Sequence, residues 1–360
     1  MKKIKAGVLG ATGAVGQNYL LLLENHPWFE VSYVAASPKS AGKKYGEAVR
    51  GKWFMDRAIP ENIESLVVGD ATKPEEALGK CDILFSSYEG SKDEIKAAEM
   101  TYAKLGFPVI SNNSAHRWTE DVPMIIPEIN YDHIRLIDIQ RRNRGFNRGF
   151  VVTKPNCSIQ SYMTPIEALR KEGYQINKVV VTTLQALSGA GYPGVASLDI
   201  LDNIIPYING EEEKTEQEPL KIFGRINGEK IFIEENLEIS ATCTRVPVID
   251  GHMAVVNVNF NEQRPNLDEI INIWNNFQSE PQRLNLPSAP KRPIIYLNEE
   301  NRPQPRKDRD AENGMAVVVG RLRECNVHDV KFVGLSHNTI RGAAGGAILT
   351  AELLHKEGYF

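Results

Sequence analysis

The sequence predicts a two-domain α/β protein, in which a doubly wound parallel sheet comes first and an α+β domain with a mainly antiparallel sheet follows. In the first half of the chain, short apolar strands alternate with helical segments, which is typical of a parallel sheet. Later strands are joined by longer and less regular connections. The 360 residues are enough for two cores. We therefore expect a first domain over residues 1–155, completed by a C-terminal helix over 340–360, and a catalytic and dimerisation domain over 156–339.

The composition argues against several classes of protein. Hydrophobic residues make up 42% and charged residues 24%, and the net charge of −4 gives no general attraction to nucleic acid or to a membrane. The four cysteines are far apart and lack the spacing of a zinc site, so we expect no metal and no disulfide framework. The N-terminus runs directly into a strand without the apolar stretch of a signal peptide. These features predict a cytoplasmic protein.

A glycine-rich turn follows the first predicted strand, Ile4 to Leu9. Its sequence, Gly10-Ala11-Thr12-Gly13-Ala14-Val15-Gly16, leads into a helix that runs to Leu23. Such a turn lets the backbone approach a pyrophosphate, which then lies at the helix N-terminus. The spacing GxxGxxG differs from the usual GxGxxG, and glycines also serve plain tight turns. Its place after the first strand favours a dinucleotide site and a Rossmann-type domain.

The end of the second predicted strand, Val31 to Ala36, indicates which dinucleotide binds. NAD sites usually place Asp or Glu there for the ribose 2′-hydroxyl. This chain has Ser37-Pro38-Lys39-Ser40 and then Lys43 and Lys44, which supply hydroxyls and ammonium groups without an acid. They favour a 2′-phosphate and hence NADP, with a solvated lysine loop as the alternative. A later strand, Ile83 to Ser87, is expected to end at the same crevice.

A polar turn, Asn112 to Arg117, follows the predicted strand Pro108 to Ser111. Ligands of doubly wound sheets bind at such strand ends, and arginine binds anions through a planar, bidentate group. Arg117 is therefore a candidate anion clamp, although a surface ion pair would explain it equally well. We interpret the basic run Gln140 to Gly145 as a solvated linker, because nucleic-acid binding would need more basic surface and interleaved aromatics.

The strongest chemical signal is Pro155-Asn156-Cys157-Ser158, which follows the apolar strand Phe150 to Thr153. Apolar residues at spacings of three and four from Ile159 onwards predict a helix directly after the cysteine. A thiol at a helix N-terminus faces free N–H groups and the positive end of the dipole, and both favour the nucleophilic thiolate. Pro165 should kink or shorten this helix. A buried structural cysteine is the alternative.

The second half of the chain places polar candidates between its predicted strands, which lie at 179–183, 253–260, 315–322 and 332–335. These candidates are Gln185, Ser188 to Gly194, the acidic turn Glu211 to Lys214, Arg245 and His252. A small-residue helix, Gly342 to Leu354, is expected to pack on the first domain. One face of the second sheet is expected to pair with another subunit.

A cysteine nucleophile, a nicotinamide site and a separate histidine together indicate one reaction type. The thiolate attacks an aldehyde, the thiohemiacetal gives hydride to NADP⁺, and phosphate releases the thioester as an acyl phosphate; the reverse reaction reduces an acyl phosphate. His252 suits the acid/base role by its pKa. The Asn156 side chain and the Cys157 N–H are placed to donate to an oxyanion. Arginine is the natural partner for carboxylate and phosphate groups.

Six segments resemble one family, and they span nearly the whole chain. They are Gly7 to Gly16, Ser37 to Tyr45, Pro155 to Ser158, Ser188 to Gly194, Thr244 to His252 and His337 to Ala344. In this order they resemble the aspartate-β-semialdehyde dehydrogenases of archaea and fungi. The resemblance implies an NADP-dependent enzyme, a homodimer or homotetramer, that reduces β-aspartyl phosphate to aspartate semialdehyde on the way to lysine, methionine and threonine.

The same resemblance implies a role for each site residue. The catalytic residues would be Cys157 (nucleophile), His252 (acid/base), Gln185 (orientation of substrate or thioester) and Asn156. The substrate-binding residues would be Arg245 (α-carboxylate), Arg117 and Lys214 (phosphate) and Glu211 (amino group), where three consecutive glutamates leave the register open. The NADP-binding residues would be Gly10, Thr12, Gly13, Ala14, Val15, Ser37, Lys39, Ser40, Ser87, Ser188, Gly189 and Asn338.

Related proteins are the competing interpretations. Malonyl-CoA or succinyl-CoA reductases of the same fold keep the cysteine, arginine and histidine, but an apolar residue precedes the cysteine where this chain has Asn156. N-acetylglutamyl-phosphate reductases match the motifs less well. A non-catalytic NADP-binding sensor would be expected to lose Cys157, Arg245 or His252, and all three are present. We therefore predict the semialdehyde enzyme.

Overall fold

The computed structural model describes residues 2–360, which fold around two six-stranded sheets and a small hairpin. The strands are β1 (Ile4–Leu9), β2 (Phe29–Ala36), β3 (Gly69–Asp70), β4 (Ile83–Ser86), β5 (Pro108–Ser111), β6 (Phe150–Thr153), β7 (Ile176–Gln185), β8 (Arg225–Asn227), β9 (Lys230–Phe232), β10 (Glu238–Arg245), β11 (His252–Phe260), β12 (Ile294–Leu297), β13 (Val317–Glu324) and β14 (Val330–Ser336).

The helices connect these strands and cover the sheets. They are α1 (Ala14–Leu23), α2 (Tyr45–Ala48), α3 (Glu61–Glu64), α4 (Lys92–Lys104), α5 (Pro127–Asn130), α6 (Leu136–Arg144), α7 (Met163–Lys171), α8 (Ser197–Ile200), α9 (Glu211–Ile222), α10 (Leu267–Asn276), α11 (Glu280–Arg283), α12 (Pro305–Asp308), α13 (Ala311–Gly314) and α14 (Gly345–Lys356). Short 3₁₀ turns occupy Pro74–Ala77, Tyr131–Arg135, Ser158–Ser161 and Leu187–Ala190, and a π-type turn occupies Ile340–Ala344. Within residues 2–360, no helix is both long enough and apolar enough to span a membrane.

The first sheet is parallel throughout, with the strand order β3-β2-β1-β4-β5-β6. This is the Rossmann order, so the predicted doubly wound fold is confirmed. Successive strands are added in opposite directions on either side of β1 and β4, which opens a crevice at the carboxyl ends of these two strands. Gly10 directly follows β1 and Ser87 directly follows β4, so both residues flank this crevice.

Apolar residues bury both faces of the first sheet, as expected for parallel strands. Val8 on β1 and Val152 on β6 belong to one core cluster, and Ala347 and Ile348 of α14 belong to the same cluster. The C-terminal segment therefore returns to pack on the first sheet. The single helix predicted over 340–360 is instead a π-type turn followed by α14, which ends before the C-terminus.

The second sheet is mixed, with the order β10-β7-β11-β14-β13-β12. Its central pairings are antiparallel as predicted, whereas the edge strands β10 and β12 run parallel to their neighbours. One face packs against α7 and α10 around Trp274. On β11 the buried residues Ala254, Val256 and Val258 alternate with half-buried ones, so the opposite face of the sheet is partly exposed.

The segment after β6 leads from the first sheet towards the second. Cys157 is followed by the 3₁₀ turn Ser158–Ser161, and α7 starts only at Met163. The thiol therefore lies at the N-terminus of a 3₁₀ turn and not of the longer helix that was predicted, because the apolar spacing continues through two separate elements. Pro165 lies in the first turn of α7, where N–H groups have no intrahelical partner, so it neither kinks nor shortens the helix.

Candidate active site

The cysteine turn, Lys154 to Cys157, is held in place by side chains that are distant in sequence. Arg117 Nε donates to the carbonyl of Lys154, the first residue of the turn, at 3.0 Å. The Asn156 N–H donates to a carboxylate oxygen of Glu218 at 2.6 Å. Asn156 Oδ1 accepts from the N–H and the hydroxyl of Ser158 at 2.7 and 2.6 Å. These bonds fix the position from which the thiol acts.

Cys157 and His252 form a close pair. The Cys157 Sγ lies 3.3 Å from His252 Nε2. On the other side of the ring, the Ala186 N–H donates to His252 Nδ1 at 2.9 Å. Because Nδ1 accepts this bond, the neutral ring carries its proton on Nε2, which points at the sulfur. His252 can thus donate a proton beside the sulfur, whereas accepting a second proton would break the bond to Ala186.

Burial dominates the ionisation of both groups. It raises the pKa of Cys157 to about 11, and Glu211 adds to the rise while nearby cations oppose it. Burial also lowers the pKa of His252 to about 3, and Arg245 lowers it further. At neutral pH the pair is therefore a neutral thiol and a neutral imidazole. Burial therefore outweighs the predicted contribution of the local backbone, and a thiolate at this position depends on the surrounding positive charges.

Glu211 lies at the centre of a second set of contacts. Its oxygens accept from Asn156 Nδ2 at 2.9 and 3.0 Å, from Gln185 Nε2 at 3.2 Å and from Lys214 Nζ at 2.8 Å. Burial alone would raise the pKa of Glu211, but Lys214 and the hydrogen bonds outweigh burial, and the pKa is lowered. Three other predicted catalytic and substrate residues therefore bond to the ionised carboxylate of Glu211.

The three consecutive glutamates point in different directions. Glu211 faces the cysteine turn, Glu212 accepts the Cys243 N–H at 3.1 Å, and Glu213 is exposed. The Asn156 amide was predicted to donate to an oxyanion, but in the structure it donates to Glu211. Of the two predicted oxyanion donors, the Cys157 N–H is the one that this contact leaves available.

Two arginines border the cysteine turn, and they differ in their partners. Arg117 Nη1 donates to Glu218 at 2.8 Å in a buried ion pair. Arg245 Nη1 donates to the Ala186 carbonyl at 2.7 Å, and within residues 2–360 no carboxylate lies at ion-pairing distance from it. Burial lowers the pKa of Arg245. A buried guanidinium without a carboxylate partner is suited to bind an anionic ligand.

Sequence reasoning missed three buried charged residues near the turn, namely Lys154, Glu218 and Lys221. Lys221 Nζ donates to three backbone carbonyls at 2.6, 3.1 and 3.4 Å. On α9, Glu218 and Lys221 share one face with Glu211 and Lys214, at spacings of three and four residues. That spacing is a usable signal, although a solvated helix face produces the same pattern. Nothing in the sequence distinguishes Lys154.

The glycine turn after β1 has a backbone shape that suits a dinucleotide. Gly10 has φ +72°, and a Cβ at this position would lie 2.1 Å from the Ser87 carbonyl oxygen. Gly13 precedes α1 without a side-chain cap, so the first N–H groups of the helix stay available to an anion. Thr12, Gly13, Ala14 and Val15 are all partly exposed at this helix start. These residues fit a bound pyrophosphate.

The predicted 2′-phosphate loop lies at the carboxyl end of β2, next to β1. Ser37 and Lys39 are exposed, and the Ser40 N–H donates to the Ser37 carbonyl at 2.9 Å. Within residues 2–360, no hydrogen bond joins this loop to the glycine turn. The structure therefore puts the loop at the expected strand end, and directly after it the Tyr45 hydroxyl donates to the Ala11 carbonyl of the glycine turn at 2.8 Å.

The remaining predicted cofactor residues lie beside His252. Asn338 Nδ2 donates to Ser188 Oγ at 2.7 Å, and Asn338 Oδ1 accepts the Gly251 N–H at 2.8 Å. A Cβ at Gly189 would lie 2.9 Å from the His252 ring. These residues lie next to the Cys157–His252 pair, whereas the glycine turn lies at the crevice of the first sheet.

A doubly wound dinucleotide-type domain, a mixed-sheet domain and a cysteine–histidine pair define a two-domain dehydrogenase. Residues 5–137 match the family described as semialdehyde dehydrogenase, NAD binding domain. Residues 166–341 match the family described as semialdehyde dehydrogenase, dimerisation domain. Both matches agree with the class that the fold and the site define.

Individual relatives narrow the class further. Proteins named aspartate-semialdehyde dehydrogenase from Archaeoglobus fulgidus and Aspergillus fumigatus are 45% and 44% identical to this chain, over 99% of it and 99% and 98% of their own lengths. A crystal structure of aspartate semialdehyde dehydrogenase with NADP from Candida albicans has a TM-score of 0.90 and 40% identity, with 100% of both chains covered. The chain belongs to the aspartate-semialdehyde dehydrogenase family, which confirms the resemblance in the sequence.

Proposed function

We propose that this protein catalyses the NADP-dependent reduction of β-aspartyl phosphate to aspartate semialdehyde and phosphate. The observation that carries the proposal is the 3.3 Å contact between the Cys157 thiol and His252, bordered by Arg117 and Arg245. Relatives that bear the name of this activity, at 44–45% identity over nearly the whole chain, support it. The product would supply the routes to lysine, methionine and threonine.

Cys157 is the nucleophile in the proposed reaction. After the thiol proton has left to solvent, the sulfur attacks the acyl carbon of β-aspartyl phosphate, the C–O bond to phosphate breaks, and phosphate leaves with the electron pair. NADPH, when bound, supplies the hydride that reduces the resulting thioester. His252 donates a hydrogen bond from its Nε2–H to the developing alkoxide and keeps the proton, and the alkoxide becomes the aldehyde when the C–S bond breaks and the thiolate leaves. The Cys157 N–H donates to the oxyanion.

The charged groups of the substrate are complementary to the charged side chains around the turn. Arg245 binds the α-carboxylate in this proposal, because its buried guanidinium has no carboxylate partner of its own. In the same proposal, Arg117 and Lys214 bind the phosphate, with Asn156 beside them. Glu211 binds the ammonium group, and Gln185 orients the acyl group. The Glu211 carboxylate is ionised, as binding of an ammonium group requires.

We propose NADP as the cofactor, bound across the crevice of the first sheet. The proposed lining residues are Gly10, Thr12, Gly13, Ala14, Val15, Ser37, Lys39, Ser40, Ser87, Ser188, Gly189 and Asn338. The end of β2 carries hydroxyls and an ammonium group instead of an acid, which favours a 2′-phosphate. The structure of the relative from Candida albicans, which was determined with NADP, supports the same choice.

We propose a homodimer or a homotetramer built on the outer face of the second sheet. This face is partly exposed and carries apolar side chains such as Val180, Leu184, Met253 and Val255. The matched family is described as a dimerisation domain. Light scattering coupled to size-exclusion chromatography measures the mass directly, and a 40.2 kDa species alone would contradict the proposal.

We propose the cytoplasm as the site of action and retain the division at residues 155 and 156 as the domain boundary. All four cysteines are free, which suits a reducing compartment. The first sheet ends at Thr153, and the second domain would run from 156 to 339, with 340–360 returning to the first.

The decisive experiment follows nicotinamide absorbance at 340 nm with purified protein. One cuvette contains aspartate semialdehyde, phosphate and NADP⁺, and the other contains malonyl-CoA and NADPH. We expect phosphate-dependent NADPH formation in the first cuvette and no reaction in the second. Oxidation in the second cuvette alone would retain the cysteine chemistry and transfer the chain to the acyl-CoA reductases.

A further inference from the structure

Lys154, the first residue of the cysteine turn, carries a buried ammonium group without a counter-ion. The side chain is 2% exposed. Its Nζ donates only one long hydrogen bond, 3.4 Å to the Pro155 carbonyl, and within residues 2–360 no carboxylate lies at ion-pairing distance. Removing a charge from water without a partner is costly, so such an ammonium group requires an explanation.

The carboxylates around the turn are already paired with other cations. Glu218 is bound by Arg117 at 2.8 Å, and Glu211 is bound by Lys214 at 2.8 Å. A third pair, Glu128 and Arg341 at 2.7 Å, lines a small cavity together with Lys154. This cavity of about 10 Å³ has room for about one water molecule. Carboxylates therefore do not supply the missing charge.

Cys157 is the remaining acid on the same turn, three residues further on. The C-terminal segment covers both side chains. A Cβ at Gly342 would lie 2.9 Å from the Cys157 Cβ, and a Cβ at Gly346 would lie 2.7 Å from the Lys154 Cε. The thiol and the ammonium group are thus enclosed behind one wall, where water cannot screen their interaction fully.

His252 is poorly suited to balance a thiolate. Its Nδ1 already accepts the Ala186 N–H, so an imidazolium would have to give up that bond. Burial and Arg245 both disfavour the charged ring. A thiolate at Cys157 therefore needs a positive charge from another side chain.

We propose that the Lys154 ammonium group is the counter-ion of the Cys157 thiolate and a positioning residue for the nucleophile. When the thiol proton leaves to solvent, the negative charge on sulfur is balanced by Lys154, and the buried lysine gains the partner that it otherwise lacks. The catalytic meaning of this pair rests on the proposed function above, whereas the pair itself does not.

The ionisation of Lys154 is consistent with this pairing. Burial lowers its pKa to about 7, and Cys157 is the largest of the charges that oppose the change; Arg117 and Arg341 lower it and Glu218 raises it. The charges facing Cys157 are Glu211, Lys154, Arg117 and Arg245, with His252 in contact. A thiolate raises the pKa of an adjacent amine and an ammonium group lowers the pKa of an adjacent thiol, so each charge stabilises the other.

The test measures the reactivity of Cys157 in the full-length protein without substrate. Alkylation by iodoacetamide is followed from pH 6 to 10, and mass spectrometry identifies the modified cysteine. We expect Lys154→Met to slow alkylation of Cys157 at pH 8 by about tenfold or more and to shift the midpoint upward by about one pH unit. Lys154→Arg, which keeps the charge, should stay within about threefold of wild type.

The matched control is Lys221→Met, which removes another buried ammonium group that is satisfied by three carbonyls. Its pH profile should match wild type even if the protein is less stable. A wild-type profile for Lys154→Met would overturn the proposal. If that variant does not fold by circular dichroism, Lys154→Gln replaces it; if neither folds, the wild-type profile decides, since a coupled pair titrates in two steps and a lone thiol in one.

This outcome is separable from the proposed function. The alkylation assay uses neither aspartate semialdehyde nor NADP. A protein that is inactive in the 340 nm assay but shows the Lys154 dependence would contradict the proposed reaction and retain the pair. An active protein whose alkylation is unchanged by Lys154→Met would support the proposed reaction and contradict the pair.

Discussion

The glycine turn after β1 and the cysteine turn after β6 occupy equivalent places in one parallel sheet, yet they are built differently. The glycine turn is defined by its own backbone, with Gly10 at φ +72° against the Ser87 carbonyl. The cysteine turn is defined by side chains that arrive from elsewhere, including Arg117 and Glu218. A turn shaped by its backbone suits a pyrophosphate, whose geometry does not change. A turn surrounded by charged side chains suits a reaction in which charge develops on the substrate and on the nucleophile.

The two turns also differ in what a substitution can change. At the glycine turn a substitution acts through steric exclusion and should affect folding or cofactor binding. At the cysteine turn it acts through charge and proton position and should affect the chemical step. Substitutions at the two turns can therefore test this division.

Replacing the nucleophile should have the largest effect. We expect Cys157→Ser to reduce turnover by on the order of 10⁴-fold or more, because a serine hydroxyl at this half-buried position ionises far less readily than a thiol. Binding of NADPH, measured by fluorescence titration, should be unchanged. Cys325→Ser, at a partly exposed cysteine outside the site, should keep wild-type activity. Substantial turnover by Cys157→Ser would remove the residue from the mechanism.

Arg245→Leu should weaken substrate binding strongly. Loss of a buried cation opposite a carboxylate costs about 2–5 kcal/mol, so KM for aspartate semialdehyde should rise by about 100-fold while KM for NADP⁺ stays unchanged. Initial rates measured with the semialdehyde and NADP⁺ varied in turn give the two constants. The control is Arg264→Leu, whose exposed guanidinium pairs with Glu324. An unchanged KM would mean that the carboxylate binds elsewhere.

Glu218→Gln tests whether the cysteine turn depends on a charged side chain from another part of the chain. It leaves Arg117 buried without its carboxylate, so we expect a loss of about 3 kcal/mol in the free energy of unfolding, together with a lower kcat/KM. Urea denaturation and the 340 nm assay measure the two effects. Glu213→Gln, on the exposed face of the same helix, should change stability by less than about 0.5 kcal/mol. Equal effects of both variants would contradict a special role for Glu218.

Gly10→Ala tests whether the glycine turn depends on backbone shape. The new Cβ would lie 2.1 Å from the Ser87 carbonyl oxygen, at a positive φ, and we expect about 2–3 kcal/mol of destabilisation and weaker NADPH binding. Gly79 has nearly the same φ of +73° but nothing within 4 Å. Gly79→Ala should therefore cost only about 1 kcal/mol. The difference between the two variants, from urea denaturation, isolates the steric contact; no difference would show that the close approach is unimportant.

The contrast between the turns also explains what the sequence could predict. The Rossmann order and the glycine turn follow from local rules, namely strand–helix alternation and the freedom of Gly10. The thiol's ionisation does not, because burial raises the pKa of Cys157 more than any local dipole lowers it, and burial is a property of the whole fold. Lys154 and Glu218 could not be found for the same reason, since they resemble ordinary surface charges until packing encloses them.

Within the proposed cofactor site, the 2′-phosphate loop is the part that would act through charge. A substitution there should have the smallest effect on activity. Lys39 is exposed, so we expect Lys39→Ala to raise KM for NADP⁺ by only about tenfold, with the effect fading at high salt as screening increases. Activity with NAD⁺, which lacks the phosphate, should not change. Lys104→Ala, at the end of α4, is the control. If KM for NADP⁺ stayed at the wild-type value at low salt, Lys39 would belong to a solvated loop, and the choice of NADP would rest on the hydroxyls of Ser37 and Ser40 instead.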